Sequence, residues 1–122
     1  YKWLKGSAPM SYGDASSFCA NISASIPTID QLRLLVQNCT DTISGGACGV
    51  TTSCTASTCK GANCSSCTES AGYYSVFGDS SWYWSSTQVS DLSAYFFTVN
   101  FDFGSIDTSS ADGSQQNVRY VK

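Results

Sequence analysis

Histidine is absent from this 122-residue chain, and lysine and arginine together number only six. Without histidine, the chain lacks the side chain that most often serves as a general acid or base near neutral pH. The few cations are scattered and the net charge is −3, so neither nucleic acid nor an anionic membrane surface is an expected partner. No apolar run approaches the ~20 residues of a membrane span, so membrane insertion is not expected.

Cysteine, by contrast, is abundant, with seven residues in a chain of single-domain length. Cytosolic proteins rarely carry this density, whereas small secreted domains often do. The sequence therefore predicts one domain over residues 1–122 that is secreted or displayed at a cell surface. The start at Tyr1 rather than Met is expected of a trimmed mature form or of a piece cut from a longer protein.

Hydrophobic periodicity predicts helices in the first third of the chain and strands in the last third. Ser11 and Asp14 have capping-box spacing and predict a helix over residues 12–21; Thr28 and Gln31 predict a second helix over residues 29–38. Strands are expected at 1–5, 82–87, 94–101, 105–108 and 116–122, with a hairpin turn at 102–104. Helices followed by an antiparallel sheet indicate an α+β fold.

The stretch Trp82-Tyr83-Trp84 carries the most apolar area in the fewest positions and predicts a central strand. Side chains alternate along a strand, so both tryptophans share one face and Tyr83 lies on the other. We expect the tryptophans at the centre of the core. Tyr83 is then a candidate platform on which a sugar ring stacks.

Residues 39–81 have no periodicity and contain six of the seven cysteines. The secreted context favours disulfides, which would make so long a loop stable. A four-thiolate zinc site and a redox Cys-x-x-Cys pair are the alternatives, although no histidine is available as a ligand and no βαβ pattern surrounds the pair. The residues expected in bridges are Cys39, Cys48, Cys54, Cys59, Cys64 and Cys67; the zinc alternative would use the last four of these.

Three stretches resemble motifs of one bacterial family. Residues 26–32 (IPTIDQL) resemble its "LPT-x-x-E-L" segment, residues 82–87 (WYWSST) its "YWSST" strand, and residues 117–122 (NVRYVK) its closing "VRCV" strand. The family is the DUF1566 group, which includes the C-terminal domain of the Legionella collagen-like adhesin. The resemblance implies a C-type-lectin-like fold, related to formylglycine-generating-enzyme domains, with two N-terminal helices packed on a small twisted antiparallel sheet.

The chain departs from this family at Tyr120, where the family motif has cysteine. The resemblance implies that this cysteine bridges to the first helix, so Cys19 would lack its usual partner. Seven cysteines cannot all pair, and a buried free cysteine behaves as a small hydrophobe. We therefore expect three bridges among the six loop cysteines and a reduced Cys19. A Cys19–Cys39 bridge is the competing outcome, and the pairing within the loop stays open.

No cofactor or metal is expected, because the motifs of calcium-dependent lectins are missing. Four aspartates could supply oxygen ligands to calcium, but solvated turn aspartates are the alternative reading of Asp91, Asp102, Asp107 and Asp112. The sequence also lacks a recognisable nucleophile–base pair, so an enzyme is not expected.

The sequence and the resemblance together predict a non-enzymatic binding module, an adhesin at the tip of a bacterial surface fibre that recognises a glycan or a cell-surface protein. The resembled adhesin is trimeric, which implies a homotrimer within a longer fibre protein. A structural subunit of a filament or coat, whose loops mediate packing, is the alternative. Because the chain is acidic, a neutral sugar or a protein surface is a better-matched ligand than a sulfated polysaccharide.

Exposed rings for stacking and carboxylates for sugar hydroxyls define the predicted contact surface. Loops 88–93 and 109–115 follow neighbouring strands, so we expect both at one end of the sheet, near the cysteine-rich loop. The predicted ligand-binding residues are Tyr73, Tyr74, Tyr83, Asp91, Asp107 and Asp112.

Overall fold

The chain forms two short helices and five strands in the order β1, α1, α2, β2, β3, β4, β5, and the computed structural model describes residues 1–122. The helices are α1 (Tyr12–Asn21) and α2 (Ile29–Arg33); the strands are β1 (Trp3–Lys5), β2 (Trp82–Gln88), β3 (Tyr95–Asn100), β4 (Ser105–Ser110) and β5 (Arg119–Val121). The predicted α+β class is therefore confirmed. Neither helix has the length and apolar character needed to cross a membrane.

Helix α1 has the predicted bounds because its cap is encoded locally. The Ser11 hydroxyl accepts a hydrogen bond from the Asp14 N–H at 3.1 Å, which satisfies one of the free donors of the first turn. Ala15 and Cys19 lie on the buried side of the helix. They pack with Trp84 and Tyr120 in the smaller of two hydrophobic clusters.

Helix α2 starts as predicted, with a complete Thr28–Gln31 capping box, but ends at Arg33 rather than at residue 38. The predicted last turn instead pairs with the cysteine-rich loop: Val36 bridges Ser75 in antiparallel fashion, and neighbouring backbone groups bond to the same stretch. The predicted helix was too long because Leu35 and Val36 are buried even though the helix ends before them, so their apolar character does not show whether the helix continues. Tertiary backbone pairing decides where it ends.

Strands β2, β3 and β4 form an antiparallel sheet in that order, and β1 pairs antiparallel with β5. The two sheets meet where Tyr83 and Asn117 form a parallel bridge. The β3–β4 connection is the predicted hairpin, and Gly104 supplies a left-handed backbone there with φ of +61°. A side chain at this position would also crowd its neighbours, because an added Cβ would lie 2.9 Å from the Cys39 Cβ and 3.0 Å from the Tyr74 ring.

The three-stranded sheet is covered on both faces, and this changes the role of the central aromatics. Tyr83, Phe97 and Val99 pack against α2 and the cysteine-rich loop, while Trp84 packs against α1. Trp82 is only half-buried, so the prediction that both tryptophans lie at the core's centre is right for Trp84 alone.

The cysteine-rich loop is fastened by three disulfides, which join Cys39 to Cys67, Cys48 to Cys64 and Cys54 to Cys59. All six loop cysteines are therefore paired, which leaves no thiolate there for zinc, and Cys19 is free and buried. Disulfides of this kind persist in an oxidising environment, as outside the cell. The disulfide-rich character predicted from the composition is confirmed.

Candidate functional site

The predicted ligand surface is divided between the two ends of the sheet. Tyr74 packs against Gly104 in the β3–β4 turn, and Tyr73 precedes it in the chain. Asp91 and Asp112 lie in the loops after β2 and β4, at the opposite end of the sheet. A six-residue strand separates these ends by about 20 Å. One small ligand therefore does not contact the tyrosines and both aspartates together.

Two of the predicted stacking rings are not accessible. Tyr74 is 5% exposed and Tyr83 is 1% exposed, because both belong to the larger core cluster. The Tyr74 hydroxyl also donates to the Thr68 carbonyl at 2.6 Å. These two assignments are corrected: both rings are part of the core. Tyr73, at 56% exposure, remains available to a partner.

Two of the predicted carboxylates attach the cysteine-rich loop to the sheet. Asp91 accepts hydrogen bonds from both the N–H and the hydroxyl of Ser57, at 2.7 and 2.6 Å, and the Ser57 hydroxyl is the main cause of its lowered pKa. Asp107 lies 3.0 Å from the Lys60 ammonium group. Asp112 is exposed. The structure has no group of three or more Cys, Asp or Glu side chains close enough to hold a metal ion.

Loops 88–93 and 109–115 lie at one end of the sheet, as the strand order predicted. The Ser90 N–H donates to the Thr55 carbonyl at 2.8 Å, so the loop after β2 lies against the cysteine-rich loop. The Ala111 N–H donates to the Ala94 carbonyl at 2.7 Å, so the loop after β4 lies at the same end of the sheet. The strand order was sufficient to predict this neighbourhood, although it did not show that the carboxylates are already occupied.

A continuous concave surface lies on another part of the molecule, between α1, the segment before α2 and strand β2, and it extends to Tyr1 and residues 121–122. It consists of two adjoining cavities of about 400 and 540 Å³, which share Ser25, Ile26 and Ser86. We call it the serine groove, after the four serines that line it: Ser16, Ser23, Ser25 and Ser86.

The hydroxyls of the serine groove are free, unlike those of neighbouring residues on the same strand. The Ser85 hydroxyl donates to the Phe97 carbonyl at 2.6 Å, and the Thr87 hydroxyl accepts from the Ile29 N–H at 2.9 Å. Ser86, between them, donates its backbone N–H to the Pro27 carbonyl. Ser86 lines both cavities of the groove, and its hydroxyl has no partner within the protein.

Charge is almost missing from the serine groove. No acidic residue lines either half, and Lys122 is the one charged side chain, in the second cavity. Cys19 lies in the first cavity, where burial raises the pKa of its thiol to about 11, so the thiol stays protonated at neutral pH. Without a thiolate or a base, the groove is suited to hydrogen bonding and packing rather than to acid–base chemistry.

A second exposed surface is apolar. Leu34, Tyr73, Val76 and Phe77 are each about half exposed, and the Val76 N–H donates to the Leu35 carbonyl, which holds the two segments side by side. The Arg119 guanidinium stacks over the Phe77 ring, 4.3 Å from its centroid. We call these four residues the apolar patch.

No family model matches the chain, and no curated protein or solved structure matches it significantly. The serine groove was missed from the sequence because isolated serines in a serine-rich chain carry no pattern. The one available signal is position: Ser25 directly precedes the 26–32 motif, and Ser86 belongs to the 82–87 motif.

Proposed function

We propose that this protein is a non-enzymatic, extracellular binding module, an adhesin-like domain that recognises a glycan or another cell-surface ligand. The observation that carries the proposal is the serine groove, a concavity with one charged side chain, whose four serine hydroxyls have no partners within the protein. Polar groups that are free and converge on a cleft are typical of ligand sites.

We also propose that the domain is C-type-lectin-like and related to the DUF1566 group. The three stretches that resemble the family lie far apart in sequence but meet around β2. The Ser86 N–H donates to the Pro27 carbonyl at 2.8 Å, and the Trp84 N–H donates to the Asn117 carbonyl at 3.1 Å. Motifs that contact one another support a shared architecture better than motifs that are only collinear.

The position of Tyr120 supports the same relationship. Its ring is fully buried in one cluster with Cys19, where the family would place a disulfide. Burial raises the pKa of Tyr120 to about 12, with the nearby Cys19 as a smaller cause. An aromatic ring that packs against the free thiol is a reasonable substitute for the bridge, because both fill the space between α1 and β5.

The second candidate function is a structural subunit of a surface filament or coat, in which the chain assembles with copies of itself. The apolar patch favours it, since exposed large side chains such as Tyr73 and Phe77 are common at protein–protein contacts. A homotrimer within a fibre is compatible with either function.

A binding screen combined with light scattering tests the proposal. The oxidised domain, displayed in multivalent form, is applied to a glycan array and to intact host cells, and the unlabelled domain is sized over a range of concentrations. We expect dose-dependent binding by a species that does not grow with concentration. Absence of binding to every glycan and cell type, together with concentration-dependent assembly, would favour the structural subunit and overturn the binding module.

A further inference from the structure

We infer that the serine groove binds a neutral oligosaccharide, an inference that rests on the proposed role as a binding module. The groove has room for more than one sugar ring. Its halves of about 400 and 540 Å³ each lie within the range of small-ligand pockets, and they share Ser25 and Ser86 at their junction. About two sugar units, one in each half, therefore match its extent.

The lining matches the chemistry of sugar hydroxyls. A serine hydroxyl both donates and accepts, as a sugar hydroxyl does, so pairs form in either direction. Gln31 adds a directional donor: its amide oxygen is occupied by the Thr28 N–H at 2.9 Å, which leaves its NH₂ group free toward the second half. The capping box of α2 thus fixes the orientation of a side chain that lines the groove.

The groove also offers surface for the apolar face of a sugar ring. The buried side chain of Ile26 lies at the junction of the two halves, and the Tyr12 ring borders the first half, held by stacking on Phe96 at a centroid distance of 3.8 Å. At the second half, the Tyr1 ring is 77% exposed and able to stack on a sugar.

The charge distribution selects uncharged ligands. A sulfated or sialylated glycan would meet one charged side chain, that of Lys122, in the two halves of the groove. Binding to such a ligand through one exposed charge is weak and strongly screened by salt. A neutral ligand held by hydroxyls and packing is insensitive to ionic strength.

The test is a titration of the isotope-labelled, oxidised domain with neutral probes (lactose, maltotriose, chitotriose and mannotriose) and with sulfated and sialylated counterparts, followed by NMR shifts. Ser25→Ala and Ser86→Ala each remove one hydroxyl, and we expect about threefold to tenfold weaker binding of the preferred neutral probe. Ser16→Arg places a bulky side chain at an exposed helix position on the first half and should abolish binding. Ser53→Ala, an exposed serine outside the groove, is the matched control.

The outcomes separate the inference from the proposed function. Neutral-probe binding that is lost in S16R, weakened in S25A and S86A and unchanged in S53A supports the inference, provided that S16R unfolds at the wild-type temperature. If S16R unfolds at a lower temperature than the wild type, the two alanine variants alone decide the outcome. Neutral-probe binding unaffected by either alanine variant, or binding of sulfated or sialylated probes alone, overturns the inference and leaves the binding module standing. Binding to no probe and to no cell overturns both.

Discussion

Arg33 organises the middle of the cysteine-rich loop, and its replacement is the sharpest test of how the loop is held. The side chain is 2% exposed, and its guanidinium donates only to backbone carbonyls. Four of these bonds are 3.0 Å or shorter, to the carbonyls of Thr42, Ile43, Cys48 and Val50. Burial lowers the pKa of Arg33, but a guanidinium stays charged at any pH at which the protein folds.

The expected cost follows from these bonds. A hydrogen bond to a charged group contributes about 1.5–3 kcal/mol, but neighbouring bonds are not additive. Arg33 also lines a cavity of about 210 Å³, through which water can enter the space that a smaller side chain leaves. We therefore expect Arg33→Ala to lower the free energy of unfolding by about 4 kcal/mol. Arg33→Lys keeps the charge but presents its donors from one point, so we expect a loss of about 2 kcal/mol.

Urea unfolding of the oxidised protein, followed by tryptophan fluorescence, measures both losses. Lys2→Ala, which removes an exposed cation, is the control and should leave the midpoint unchanged. If Arg33→Lys matches the wild type and Arg33→Ala costs less than about 1 kcal/mol, then water satisfies the carbonyls and the guanidinium does not organise the loop.

Three further predictions concern the disulfides, an ion pair and the free thiol. The Cys54–Cys59 bridge joins residues only 5 positions apart, so its removal should lower the free energy of unfolding by about 2 kcal/mol. Because Cys54 is exposed, mass spectrometry after brief mild reduction should find this bridge open first, and earlier opening of either other bridge contradicts this. Burial disfavours the Asp79 carboxylate, yet hydrogen bonds led by Arg119 lower its pKa below the usual value. The Asp79 carboxylate therefore stabilises the fold above about pH 4, and this stabilisation is lost as the pH falls further. In Asp79→Asn the urea midpoint should fall less between about pH 4 and lower pH than in the wild type, and an equally steep fall refutes the assignment. The Cys19 thiol, buried and with its pKa raised to about 11, should resist a thiol reagent at pH 8 until urea exposes it; rapid labelling of the native protein is the contrary result.

Local signals predicted the starts of both helices because a cap is a short-range interaction. Ser11 and Thr28 each satisfy donors three residues ahead, and no tertiary contact is needed for that. The order of the strands along the chain and the hairpin at Gly104 were predictable for the same reason, because both depend on neighbouring residues. The end of α2 was not, since it depends on the bridge between Val36 and Ser75, which lie 39 positions apart in the chain; its bonds join Gln37 to Tyr74 and Val76 to Leu35.

The error on Tyr83 has a different cause. Alternation along β2 correctly placed Tyr83 on the face opposite Trp84. The prediction that this opposite face is exposed assumed that only one face of the sheet is covered. Here the cysteine-rich loop and α2 cover the second side. Periodicity gives the face on which a residue lies, and the cover over that face comes from contacts that are distant in sequence.

The carboxylates show how composition can mislead about a ligand. The chain has nine acidic residues, and three of its aspartates were predicted to contact sugar hydroxyls. In the fold, most aspartates instead accept hydrogen bonds or ion pairs from the protein itself: Asp30 from Thr52, Asp41 from Ser66, Asp79 from Arg119, Asp91 from Ser57, Asp102 from Ser81 and Asp107 from Lys60. Three of the six donors, Ser57, Lys60 and Ser66, lie between Cys54 and Cys67, where no helix or strand of ordinary length supplies backbone partners. Most of the acidic side chains therefore hold the protein's own chain together, chiefly a loop that lacks regular structure, and are not free carboxylates that await a ligand.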